Sequence, residues 1–118
     1  MDWGMGGVVA TVAAQDDGDA SLFTSTGFEV TGGRHHESVR HAGATFLAAL
    51  EQCVSRMHPS LVDSPPCSGR TTLHALTTQG HLVVEEATEL LARGSGPLAD
   101  AFAAGQGLIV CIRALAEK

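Results

Sequence analysis

Two hairpins flanking one amphipathic helix are legible in this chain of 118 residues. Together they predict an α+β fold with an antiparallel sheet. The helix is read over Ser38 to Met57, where Val39, Ala42, Phe46, Leu50 and Val54 recur at steps of three or four. Arg40, Thr45, Glu51, Gln52, Ser55 and Arg56 fall mostly on its other side. Ser38 is a candidate N-cap, and Pro59 stops the helix by biasing His58 out of the α region.

Ahead of the helix, residues 1–5 read as a flexible end, and the ordered domain begins at Gly6. Gly4-Met5-Gly6-Gly7 precedes a strand instead of following one, so it lacks the order of a phosphate-binding loop. Val8 to Ala13 is a β-branched run of strand length. Asp17-Gly18 marks a hairpin turn. Ala20 to Thr26 is the second strand, with Leu22 and Phe23 on opposite faces.

After the helix, Leu61 to Gly69 holds Pro65, Pro66 and Cys67 and reads as a loop. Arg70 to Thr78 alternates as a third strand. Gln79-Gly80 turns the chain into a fourth, His81 to Ala87. Pro97 to Ala104 has a helix-start proline. Leu108 to Ile112 is continuously apolar, and periodicity does not separate a buried strand from a buried helix there. Gly105, Gly107 and the β-branching favour a strand; one helix from Pro97 to the end is the alternative. The strand reading gives the order ββαββ(α)β, a five-stranded sheet within a single domain spanning 1–118.

Composition narrows the function classes. Seven Lys and Arg stand against thirteen Asp and Glu, for a net charge of −6, which argues against nucleic acid and anionic membrane surfaces. No apolar run reaches the roughly 20 residues of a membrane span, and no signal sequence is legible, so membrane insertion is not expected. Three cysteines without a C-x-x-C suggest reduced thiols in a cytoplasmic protein.

Chemical signatures are sparse. His35, His36, His41, His58, His74 and His81 have no zinc-site spacing, and they read as solvated loop and strand residues. Glu85 and Glu86, adjacent in a strand, point to opposite faces and cannot act as a paired acid and base. Ser21, Ser25, Ser38 and Cys67 lack the context of a nucleophile elbow. No catalytic residue, cofactor or metal is assigned, and a non-enzymatic role is expected.

GGVVATVAAQDDGDASLFTST, then a loop, then SVRHAGATFLAALEQCVSRMHP, resembles the roadblock light chains of dynein. TTLHALTTQGHLVVEEA resembles that family's next hairpin, and GLIVCIRALAEK its closing strand. The chain departs from the family at both ends. It lacks a helix before the first strand, and Glu89 to Gln106 is longer than the usual turn. The Pro97 to Ala104 helix would then cover the sheet face left bare, with Leu98 and Phe102 turned inward.

The resemblance implies a roadblock/profilin-like sheet and a dimeric adaptor, formed with itself or a related chain. It implies a larger partner such as a dynein intermediate chain. A small-GTPase-linked complex, Ragulator-like or of the bacterial GTPase-activating type, is the alternative. A small ligand-binding or enzymatic domain is the third. Chains of that family pair through the long helix and the strand after it. The interface expected here is Val39, Gly43, Phe46 and Leu50 on the helix, with Leu73 and Ala75 on a Thr-rich edge strand. For Phe46 and Leu50 a place in the core under the sheet is the competing reading.

Overall fold

The computed structural model describes residues 1–5, 7–31, 35–59, 69–77 and 80–116. Its elements are β1 (Asp2–Met5), β2 (Val8–Ala14), β3 (Ala20–Thr24), β4 (Glu29–Val30), α1 (Glu37–Glu51), β5 (His58–Pro59), β6 (Arg70–Thr77), β7 (Gly80–Ala87), α2 (Thr88–Arg93) and α3 (Pro97–Ala116). A 3-10 turn, Val54–Arg56, lies between α1 and β5. The fold is α+β, with a seven-stranded sheet of order β4-β3-β2-β1-β6-β7-β5 whose neighbours are all antiparallel.

Both expected hairpins form. The β2–β3 turn closes with Gln15 N–H donating to Asp19 O and Gly18 N–H donating to Gln15 O. Gly18 sits at φ +91°, a conformation that suits glycine alone. Asp19 N–H donates to the Asp17 carboxylate across the same turn. The second hairpin pairs Thr71 with Glu86, Leu73 with Val84 and Ala75 with Leu82. Thr78 and Gln79, and the expected Leu61 to Gly69 loop with its prolines and Cys67, lie outside the described residues apart from Gly69.

The core lies on one face of the sheet. Val12, Leu22 and Leu73 point to it from the strands, and Val39, Phe46 and Leu50 from α1. Ala101, Phe102, Leu108 and Ile112 meet them from α3, which packs beside α1. Leu98 also packs against this core, so the inward-facing Leu98 and Phe102 expected of the late helix are seen. They cover the face that α1 covers, however, and not an opposite one.

Five expectations are corrected. Residues 1–5 are not a flexible end. They form β1 in the centre of the sheet, because Met1 and Trp3 alternate into the core while Asp2 points the other way. Trp3 meets Phe102 edge to face, with ring centroids 6.1 Å apart.

The second correction concerns Leu108 to Ile112, which belong to α3 and make no closing strand. Gly105 is what lets that helix sit close. A Cβ there would lie 2.8 Å from the Met1 thioether and 3.1 Å from the Phe46 ring. Tertiary packing outweighs the β-branched run.

Third, the sheet has seven strands, not five: the short β4 and β5 extend its two edges, and β1 replaces the expected final strand in its middle. Fourth, β6 is not an edge. It lies between β1 and β7, and its Thr71 and Thr72 are buried. Fifth, α1 ends at Glu51, where the chain tightens into the 3-10 turn through Cys53 N–H to Leu50 O and Arg56 N–H to Cys53 O. Its N-cap is His36, without a side-chain capping bond, and not Ser38.

Pro97–Leu115 is long and apolar enough to cross a membrane by length and composition, with a mean hydropathy of 1.5. Alanines and glycines bridge its shorter apolar runs, which is why no single run in the sequence reached that length.

A cleft beside a carboxylate–histidine chain

The register places Phe23, Thr11, Asp2 and Thr72 side by side on the sheet face away from α1 and α3. Asp2 is the hub of a hydrogen-bonded chain there. The Thr11 hydroxyl donates to Asp2 Oδ1 at 2.8 Å. His74 Nε2 contacts Asp2 Oδ2 at 2.9 Å. His74 Nδ1 meets His81 Nε2 at 2.8 Å, with the two rings stacked 27° apart. Four neighbouring strands, β2, β1, β6 and β7, each supply one member.

The carboxylate sets the tautomers. An acceptor at Asp2 requires Nε2–H on His74, and in the Nε2–H tautomer Nδ1 is the atom that accepts from His81. His81 then presents its own Nδ1 as an acceptor. Burial pushes the Asp2 carboxyl up, but the bonds from His74 and Thr11 outweigh it and hold the group below the usual carboxylate range. The arrangement can orient a base or relay a proton. Among the described residues no group of three or more His, Cys, Asp or Glu is placed to hold a metal ion.

Next to this chain the sheet has a gap. β1 faces β6 only through Asp2 and Trp3, opposite Thr72 and Thr71. On its other side it reaches up β2 as far as Val12, which exchanges both backbone hydrogen bonds with Met1. Among the described residues, β1 has no pair with Ala13 or Ala14 of β2, nor with His74, Ala75 or Leu76 of β6. The resulting cleft measures about 980 Å³. Ala13, Ala14, Gln15 and Asp16 form one wall, and His74, Ala75, Leu76 and His81 the other. Leu47, Leu50, Glu51 and Val54 from α1 and the turn after it make the floor. The Met1 ammonium closes the inner end, donating to Val12 O at 2.8 Å. Burial lowers its pKa from 8.0 to about 6, partly opposed by the nearby Asp2 charge.

Of the expected interface residues, Leu50 and Ala75 line this cleft and the other four lie away from it. Val39, Gly43, Phe46, Leu50 and Leu73 are all buried, and Ala75 is half-buried at the cleft wall. Gly43 lets α1 approach β2, since a Cβ there would meet the Ala14 methyl at 3.8 Å. α3 and the sheet take up the surface that was assigned to a second chain. Cys53 is also buried. Its thiol donates to Ala49 O and Pro97 O, joining α1 to the start of α3, and burial pushes its pKa up. Glu85 and Glu86 lie on opposite faces as read, Glu85 bonding Arg70 at 3.0 Å.

Sequence reasoning missed Asp2, His74 and His81 as a group because β1 was not read as a strand. An Asp flanked by apolar Met1 and Trp3 was the available signal. Compared with protein-family models, with curated proteins and with solved structures, the chain matches none of them.

Proposed function

We propose that the chain is a non-enzymatic, protein-binding subunit of adaptor type that uses the sheet face away from its helices. The observation that carries this reading is the exposed apolar surface there: Phe23 is 38% exposed and Leu76 85% exposed, with the cleft between them. The roadblock resemblance supports the same role, since two hairpins flank an amphipathic helix that covers one sheet face. By that resemblance it acts in the cytoplasm as a homodimer or with a related chain. Its larger partner is then a dynein intermediate chain or a small-GTPase-linked complex. The pairing surface is moved from α1 and β6, which are occupied, to the open face.

Light scattering on a sizing column tests the dimer over a range of concentrations. The expected mass is twice 12.2 kDa, falling to the single-chain value in Phe23→Asp and Leu76→Asp. A monomer at every concentration, together with no loss of partner capture in either variant, overturns the reading.

The chain Thr11–Asp2–His74–His81 favours a second reading, a small ligand-binding or catalytic domain. A thermal-shift screen of small polar metabolites separates the two. A ligand whose stabilisation vanishes in Asp2→Asn selects the second.

A further inference from the structure

We propose that His81 is a nucleophile for acyl transfer, taking the acyl group of a thioester or aryl ester while His74 and Asp2 receive its proton. The inference goes beyond the adaptor role. It rests on the second reading, a small ligand-binding or catalytic domain, and names the substrate class of that site.

The ring nitrogens set the chemistry. His74 Nδ1 and His81 Nε2 are 2.8 Å apart and the ring centroids 5.0 Å, so the nitrogens lie between the rings and their hydrogen bond runs nearly along the line joining them. Asp2 holds the far nitrogen of His74, which fixes the direction of both bonds. His81 Nδ1 is left with its lone pair. No described residue bonds it, and among the described residues no unpaired side-chain nitrogen is buried, so Nδ1 reaches solvent. A nucleophile backed by a base, with that base oriented by a third group, is the arrangement that covalent catalysis needs. Side chains of β1, β6 and β7 make it up. The Met1 ammonium also acts on the Asp2 charge, but it donates to Val12 O and is not a member of the chain.

The surroundings select the acyl donor. Leu76 stands opposite His81 in the ladder and Val83 opposite His74, so all four share the open sheet face. Leu76 is largely exposed and offers an apolar seat for an acyl chain. Two cations near this face are already held, Arg70 by Glu85 and the Met1 ammonium by Val12 O. Neither is aimed at a developing oxyanion, so the leaving group must carry charge well, as a thiolate or phenolate does and an amide nitrogen does not. Nδ1 adds to the acyl carbon, and the bond to sulfur or oxygen breaks. The Nε2 proton of His81 passes to His74 Nδ1, and the imidazolium so formed is paired with the Asp2 carboxylate. Water then adds to the acyl carbon, the bond to Nδ1 breaks and Nε2 takes its proton back. One proton of that water stays on the carboxylic acid, and the other goes to the thiolate or phenolate.

The test uses the full chain with p-nitrophenyl butyrate, read as phenolate release over several turnovers. Acylation of an amine stops at one equivalent, so turnover excludes it. His81→Gln should lower kcat by about a hundredfold or more, toward the uncatalysed rate. His58→Gln should change nothing, since His58 lies exposed on the same face, opposite Val83, and outside the chain. Asp2→Asn should lower kcat by about tenfold with KM unchanged, and Asp2→Glu should recover part of the loss. Urea midpoints separate lost folding from lost chemistry. Acid quench of the unaltered protein should leave butyryl on the peptide that contains His81. Equal rates in His81→Gln and the unaltered protein, an equal fall in His58→Gln, or an unchanged kcat in Asp2→Asn overturns the proposal. So does butyryl found only elsewhere, or turnover lost on acetylating the Met1 amine. If no turnover occurs while a ligand from the thermal-shift screen is lost in Asp2→Asn, this inference falls and the ligand-binding reading stands. If neither is seen, both fall.

Discussion

α1 and α3 lie side by side on one sheet face, yet they are built differently. α1 divides its sides: Val39, Phe46 and Leu50 are buried, while Arg40, Thr45 and Glu51 are exposed. α3 scarcely does. Asp100 and Arg113 are its only charged residues, and its exposed side carries Ala103, Gly107, Val110 and Ala114. The period of apolar residues reveals a helix only when polar residues alternate with them. A helix apolar on both sides has no phase to read, so its β-branched segment imitates a strand.

The comparison can be broken most directly at its two buried rings. Phe46→Ala in α1 and Phe102→Ala in α3 should each cost about 3–5 kcal/mol, read from urea midpoints. A loss below about 1 kcal/mol at Phe102 would mean that α3 is an appendage and not half of the core.

Met1 lies where β1 meets both helices, against Gly105 and Phe46. Its ammonium has a lowered folded pKa, about 6 against 8.0, so the unfolded chain binds the extra proton between those values. Stability therefore rises with pH from 6 to 8, by up to about 3 kcal/mol, and is flat above that range as far as this group is concerned. Unfolding at a series of pH values measures it, and acetylating the amine should remove the slope. Asp2 acts at the other end of the scale. Its carboxyl is held below 3.8, so the stability it contributes is present above that value and lost in stronger acid.

The glycines of α3 sharpen the contrast within one helix. Gly107 faces open space, and Gly107→Ala should stabilise by about 1 kcal/mol. At Gly105 the same change meets Met1 and Phe46, and the helical gain should be cancelled or reversed. Equal gains at both sites would show that α3 stands off from α1. The smallest effect belongs to the outer face: Val110→Ser, at a 68% exposed position, should change the midpoint by less than about 0.5 kcal/mol.

What the sequence disclosed follows the same division. The hairpins were legible because each is a local event: β2 and β3 meet across Asp17-Gly18, and β6 and β7 are neighbours in sequence whose pairing ends at Thr77 and Gly80. The amphipathic α1 was legible from its phase. β1 was not, because Trp3 and Met5 are separated by Gly4 and followed by Gly6 and Gly7, which read as punctuation. With β1 misplaced, β6 was left at an edge, and the residues chosen for a dimer were those that α3 and the sheet bury. The polar chain was hidden for the same reason. Asp2 and His74 are 72 residues apart, and only β1 in the sheet centre brings them together.

That central position also dictates a timetable. As the ribosome delivers the chain, Asp2 emerges 72 residues ahead of His74, its hydrogen-bond partner. β2 can pair with β1 early, but the joint with β6 must wait, and it closes a loop of most of the domain. Until then one side of β1 is an unsatisfied edge, open to other nascent chains. The slow step of folding is then the docking of the second hairpin onto the amino-terminal strand.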